Sequence, residues 1–571
     1  MGSADTAPTF DVTDYGADAS TATDFEAPDA ADGDVPVVTE GFNAAMDACA
    51  EAGGGTVHVP PGEYVTGTVH LRSDVTLHLA AGATVFASAE RAAYSAERIG
   101  PDGERVFLWA DEVENVAITG RGRFHGRGTE IMLMDTPIRG HSGEESSHPL
   151  ITSGEPDPRQ GEDYLDRDDG TDDWPVAKPD FRPGPMFRFD HCENVLIRDV
   201  ELRDMPSWTI GLHGVTEADV LGVDVRGNKY IPNNDGIAVT DSRNVHISDC
   251  TFVTCDDSIC MNGSSEIDQP CENVTVTNCT IESNACAIKF GSGTDGPMRN
   301  FTFHNIVIRD SDRGLGIQHR DSGTLENVLF SDIFIQTRLL SGPWWGKAEP
   351  IYVTSLPRHD DTDLGTVRNV RFSNVVAQCE NGALIYGSEE ATIENVSLEN
   401  VRLEIGASEN SPLTGGNFDL QPTTAKTAIV GRDIAGVHCE GADGVDFEDL
   451  TVEWIESGGT TANAVDGLPD YYTHGLQCVD VSDLSIRGFD GRQAHTDSDD
   501  GAIALRDVEM VSIRDSRARP GTGRFLELDG VSDPRLFAGN DLTDADASGL
   551  ADESGDGSGD GFAMSGNRPP Q

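Results

Sequence analysis

Asn244-Val245-His246-Ile247, Asn273-Val274-Thr275-Val276, Asn300-Phe301-Thr302-Phe303 and Asn327-Val328-Leu329-Phe330 are four copies of one phrase. Their asparagines are separated by 29, 27 and 27 residues. Earlier copies open at Asn115 and Asn194, later ones at Asn369 and Asn395, and degenerate copies fall near Val445, Leu484 and Val511. Each copy begins with a turn residue and then alternates apolar and polar positions. A polar pair and a second apolar pair follow, which is strand-and-turn chemistry. A repeat of this length built only from strands predicts an all-β chain wound as a parallel β-helix solenoid. Equivalent residues of successive coils then stack about 4.8 Å apart. The asparagines form a ladder at one turn, a structural role that needs no function.

Helical spacing is confined to Gly41 to Ala52, which predicts a short helix capping the N-terminal end of the solenoid. The organisation expected is an extension over 1–9, a solenoid over 10–542 and a flexible acidic tail over 543–571. Residues 129–180 are acidic and rich in Pro, Gly and His, and read as a long loop leaving one coil.

Asp and Glu number 99 against 40 Lys and Arg, giving a net charge of -59. Only five of the cations are lysines: Lys178, Lys229, Lys289, Lys347 and Lys426. This surface suits concentrated salt and argues against nucleic acid as a partner. The 37% hydrophobic content is enough for a core. The 11 cysteines sit mostly within apolar strand phrases and read as buried thiols. No run of some 20 apolar residues predicts a membrane span. Residues 1–10 lack the basic and apolar stretches of a secretion signal, so a native start implies the cytoplasm and a trimmed one implies secretion.

Three acids stand one coil apart: Asp235 in Asn233-Asn234-Asp235-Gly236-Ile237, then Asp256 and Asp257 in Cys255-Asp256-Asp257-Ser258-Ile259. Other Asp-Asp pairs fall in loops, whereas this one is embedded in a strand phrase, where an unpaired charge is costly. A glycosidase needs one protonated carboxyl against the leaving oxygen and one ionised carboxyl to activate water. Clustered acids favour such a division of protons.

These phrases, together with Asp204-Met205-Pro206-Ser207-Trp208-Thr209-Ile210 and the opening Val12-Thr13-Asp14-Tyr15-Gly16-Ala17, resemble glycoside hydrolase family 28, the polygalacturonase family. The resemblance covers roughly residues 10 to 400. It implies a right-handed, single-stranded, pectin-lyase-like β-helix and an inverting hydrolase of pectin-type saccharides, acting without cofactor or metal. It also implies that Asp256 is the general acid, that Asp235 and Asp257 activate the water, and that Asn233 positions a carboxylate or a substrate hydroxyl. The chain departs from the family where Gly-His-Gly and Arg-Ile-Lys are usual, carrying Asn284-Ala285-Cys286-Ala287-Ile288-Lys289 and Gly316-Ile317-Gln318 instead. Lys289, Arg313, His319 or Arg320 are the candidate replacement cations, with Lys289 first. Trp344, Trp345 and Lys347, in a Gly/Pro-rich loop, are candidates for the substrate wall. The substrate is then a uronate bound in an altered way, or another pectic sugar such as rhamnose or galactose. A cleft closed by the 129–180 loop would favour exo action. The competing readings are a polysaccharide lyase on the same solenoid, using calcium and a basic Arg or Lys, and a non-catalytic carbohydrate-binding β-helix.

Overall fold

In the computed structural model, the described residues are 8–19, 36–95, 105–137, 176–341, 346–420, 423, 429–431, 433–457, 464–550 and 561–570. They fall into two compact units, which divide between Ser283 and Asn284.

The first unit is a parallel β-helix with three strand stacks. Stack A holds the repeated phrase, in strands such as Glu114–Gly120, Glu193–Arg198, Thr216–Leu221 and Arg243–Ser248, each paired in parallel with the next. Stack B holds the second apolar pair, as in Asp224–Arg226 and Thr251–Thr254. Stack C closes each coil: Leu108–Asp111, Phe187–Asp190, Ile210–His213, Ile237–Thr240 and Ile259–Gly263. Alternate residues point inward, so Phe187, Phe189, Ile210, Leu212, Ile237 and Val239 are fully or almost fully buried.

The coil turns explain the asparagines. Asn194 Nδ2 donates to Asn115 Oδ1 at 2.8 Å, and Asn273 Nδ2 to Asn244 Oδ1 at 3.1 Å. In the second unit Asn327 bonds Asn300, Asn369 bonds Asn327 and Asn395 bonds Asn369. All of these residues have positive φ, between 53° and 64°. Asn tolerates that left-handed conformation, and its amide then satisfies the neighbouring rung.

A helix, Thr39–Glu51, covers the first coils with Phe42, Ala45, Met46 and Cys49 inward. Asn43 ties it to the ladder by donating to the Thr68 carbonyl and accepting from the His70 amide. The second unit repeats the parallel winding with longer strands, including Met298–Ser311, Leu325–Thr337, Val367–Cys379 and Ile393–Ile405. Phe303, Phe330 and Phe372 stack through its interior at centroid spacings of 4.8 and 5.0 Å. All 11 cysteines are buried, and no disulfide joins any of them.

Two boundaries differ from expectation. Of the 129–180 loop, Leu133–Pro137 pairs antiparallel with Val176–Ala177, while 138–175 lie outside the described residues. The expected tail instead extends the ladder. Ala545–Ala547 pairs with the strand Thr522–Asp529, and Ala563–Ser565 pairs with Leu536–Ala538. Short degenerate strands complete a sheet edge that would otherwise stay unpaired; residues 551–560 lie outside the described residues.

Candidate active site

The three aspartates occupy the turns that carry the chain from stack B into stack C on consecutive coils. Ile237 pairs with Ile259, so Asp235 and Asp257 hold the same place in adjacent rungs. The Gly236 amide donates to the Asp257 carbonyl at 2.9 Å, and the Thr209 amide to the Asp235 carbonyl at 2.9 Å. Gly236 is required here by space. A Cβ would lie 2.4 Å from the Ser258 carbonyl oxygen and 2.7 Å from Phe252.

Asn234 fixes the second turn from below. Its Oδ1 accepts from the amides of Cys255 at 2.6 Å and Asp256 at 3.4 Å, while its Nδ2 donates to the Asn228 carbonyl. Thr254 and Ser283 hydroxyls both donate to the Asp256 carbonyl, at 2.5 and 2.8 Å. The Asp256 carboxylate accepts from its neighbour's amide, Asp257 N–H, at 3.0 Å and from Asn233 Nδ2 at 3.3 Å. Asn233 sits in the left-handed region (φ 58°), which aims its amide at Asp256 across the rung.

Carboxylate oxygens of Asp235, Asp256 and Asp257 lie within 4.8 Å of one another. The residues are 8%, 8% and 4% exposed, so the cluster is nearly covered and keeps slight contact with solvent. They are the one metal-sized group of His, Cys, Asp and Glu among the described residues, so a cation could also be held here. Burial first, then the negative charges of Asp256 and Asp235, push the Cys255 thiol well above its ordinary range, while Arg182 and Lys229 pull the other way. Two cations thus sit close to the cluster. Arg182 donates to the carbonyls of Pro206 and Pro232 at 2.8 and 2.7 Å and to Asn233 Oδ1 at 3.1 Å. Lys229 lies 3.4 Å from Glu282.

Sequence reasoning missed Arg182, which lies 51 residues from Asn233 and carries no local signal. It also gave no role to Trp208, although the register exposes one. Ile210 pairs with Ile237, so Trp208 stands one rung from Asp235, and it is 36% exposed.

In the first unit the structure brings Asn233, Asp235, Asp256 and Asp257 together. Lys289 stands half-buried in the strand Cys286–Thr294 of the second unit. Trp344 and Trp345 lie outside the described residues. Three candidates need correction. His319 is fully buried, its ring nitrogens bonded to Ser355 Oγ and the Gly323 carbonyl. Burial lowers its pKa to about 4, so it is a neutral interior side chain. Arg320 is sealed by Thr354, Tyr352 and the Leu420 carbonyl. Lys347 is 2% exposed and sits in the charged interior with Asp312, Arg313 and Glu349, so it lines no wall. Arg313 likewise faces inward, paired with Glu349 at 3.0 Å.

Residues 180–415 match Glycosyl hydrolases family 28. The chain is 21% identical over 374 residues to a probable polygalacturonase of Vitis vinifera, covering 62% of this chain and 68% of that one. It is 23% identical over 303 residues to the exo-poly-alpha-D-galacturonosidase of Dickeya chrysanthemi. That match covers 48% of each, so the chain spans about half the length of this relative. The exopolygalacturonase of Thermotoga maritima has a similar fold, with a TM-score of 0.53 at 20% identity over 81% of this chain and 94% of that one. The segment 180–415, which carries all three aspartates, belongs to glycosyl hydrolases family 28.

Proposed function

We propose that the protein hydrolyses glycosidic bonds of pectin-type, galacturonate-containing saccharides, with Asp256 as general acid and Asp235 and Asp257 holding the attacking water. One observation carries this reading: three carboxylate oxygens within 4.8 Å at a nearly buried turn, in a scaffold that uses two asparagines to fix them. The division of labour is that of an acid–base hydrolase, in which one carboxyl donates to the leaving oxygen and carboxylates opposite it activate water. Asn233 and the Asp257 amide orient Asp256, which protonates the leaving oxygen. Asp235 and Asp257, at the same place in adjacent rungs, take the proton of a water lying between them.

The spacing is tighter than the ~6.5–9.5 Å usual for an inverting pair and nearer the ~5–5.5 Å of retaining pairs. Two carboxylates on the water side relax that constraint. The water is gripped from both flanks and need not lie on the line to Asp256. Inversion is therefore the reading proposed, in keeping with the family resemblance. The acidic, lysine-poor surface supports work in concentrated salt.

The test is release of reducing ends from oligogalacturonates and rhamnogalacturonan oligomers in concentrated salt, with and without chelator. Chelator-resistant hydrolysis that vanishes in Asp256→Asn is expected. Chelator-sensitive cleavage giving ultraviolet-absorbing unsaturated products would instead make it a lyase. Saccharide binding with no cleavage of any oligomer would leave only the binding module.

A further inference from the structure

The outer face of stack C carries a second polar cluster, also in the first unit. Phe187 and Phe189 point inward, so Arg188 and Asp190 point outward between them. Arg188 Nε donates to Asp190 Oδ1 at 2.7 Å, and its NH1 group to His213 Nε2 at 2.8 Å. Asp190 Oδ2 also accepts from the Trp109 indole N–H at 3.1 Å. The His70 and Trp109 rings lie 5.4 Å apart. Burial, then the charge of Arg188, lowers the His213 pKa to about 3, so its Nε2 is a neutral acceptor and its other nitrogen carries the hydrogen.

The register ties this cluster to the aspartates. Arg188 pairs with Gly211, Gly211 with Ala238, and Ala238 with Cys260. These three small residues form a low track on one face, running from Arg188 to the coils that begin with Asp235 and Asp257. Arg188 is two rungs from the Asp235 coil, roughly 10 Å at the ordinary strand spacing. Trp109 is one rung further.

We propose that Trp109, Arg188, Asp190 and His213 form a distal sugar subsite of the hydrolase, which takes an uncharged pyranose unit in preference to a free uronate. This rests on the hydrolase reading above. A half-buried indole offers an apolar face to a sugar ring. A guanidinium has five donors; those not engaged by Asp190 and His213, together with the Asp190 carboxylate, suit vicinal hydroxyls. The charge balance selects the occupant. Asp190 lies 2.7 Å from Arg188 and offsets its charge, so the cluster offers a sugar carboxylate no net attraction, and a methyl-esterified or neutral pectic unit brings no unmatched charge to it.

The test uses oligomers of increasing length, as free acids and as methyl esters. For the active enzyme, KM should fall once the oligomer reaches the subsite, and further for esters. Trp109→Ala and Arg188→Gln should each lose that gain, roughly fivefold or more. They should leave the shortest cleaved oligomer unchanged, and Trp109→Phe should keep most of it. Equal losses on short and long oligomers would reduce the cluster to a structural role. Tighter binding of free acids, lost in Arg188→Gln, would overturn the preference for uncharged units. Calorimetry on Asp256→Asn reads the same oligomers without turnover. If the active protein cleaves none of them, the hydrolase reading fails, and length-dependent ester binding lost in Trp109→Ala still upholds the subsite. If no oligomer binds, the subsite is excluded.

Discussion

The molecule contains two dense charge clusters, one in each unit, and they are built on opposite principles. At the turns of the first unit, Asp235, Asp256 and Asp257 crowd like charges together and keep 4–8% exposure. In the second unit, Arg313 and Glu349 form a pair that is 1% and 0% exposed, with the guanidinium 3.7 Å above the Tyr352 ring. Asp312 and Lys347 complete that interior group. The first arrangement crowds like charges, which the proposed chemistry uses. The second matches opposite charges and excludes water, so its consequences are for folding. Charged residues within strand phrases of a solenoid thus divide by which side of the ladder they face and by what covers them.

Substitutions should separate the two clusters cleanly. The largest effect is expected for Asp256→Asn, which should lower kcat by roughly a thousandfold or more with an unchanged unfolding midpoint in circular dichroism. In the second unit, Glu349→Gln leaves a buried guanidinium without its charge partner and should destabilise by about 3–5 kcal/mol. The same variant should keep near-normal kcat per folded molecule, measured by denaturant titration alongside active-site counting. A large kcat loss in the folded Glu349→Gln protein would mean that the contrast between the clusters is wrong.

A smaller effect sharpens the first cluster. Arg182 acts on Asp256 through Asn233, so it is a positioning residue. Arg182→Gln should lower kcat by roughly tenfold with little change in KM, and Asn233→Ala should do the same. The double variant should add little to either single one, since both break one chain of contacts.

The smallest effect tests the second cluster by pH. Burial first, and then the charge of Glu349, raises the pKa of Asp312 from 3.8 to about 8. The folded chain therefore holds a proton that the unfolded chain has released. That contribution to stability is complete below about pH 4 and is lost as pH rises through about 8. Asp312→Asn should remove this slope, so its unfolding temperature should gain on the parent protein by a few degrees between pH 5 and pH 9. A constant difference across that range would show that Asp312 does not titrate in the fold.

Much of this was legible in the sequence because a solenoid is nearly one-dimensional. The repeated Asn-Val-x-Ile phrase encodes both the strand and the left-handed residue that opens it, so period alone places the coils. It also places Asp235 opposite Asp257, and it would have placed Trp208 beside Asp235 had the register been carried back one rung. His319 was readable too: it shares the inward phase of Leu315 and Ile317 in the strand Arg313–His319. Arg320 was not, because its cover comes from Leu420, 100 residues away. Lys347 lies outside any regular strand, so no alternation fixes its direction. The distal cluster was hidden for a related reason. Its members come from three coils, and the 129–180 insertion separates Trp109 from Arg188 in the chain although their strands are adjacent.

The most direct test of the central claim is the proton NMR spectrum of the first product formed from an oligogalacturonate in concentrated salt, recorded before mutarotation. A single displacement by water held between Asp235 and Asp257 predicts an anomeric signal of inverted configuration. A product that first appears with retained configuration would contradict it and assign one of the three aspartates to covalent attack on the sugar.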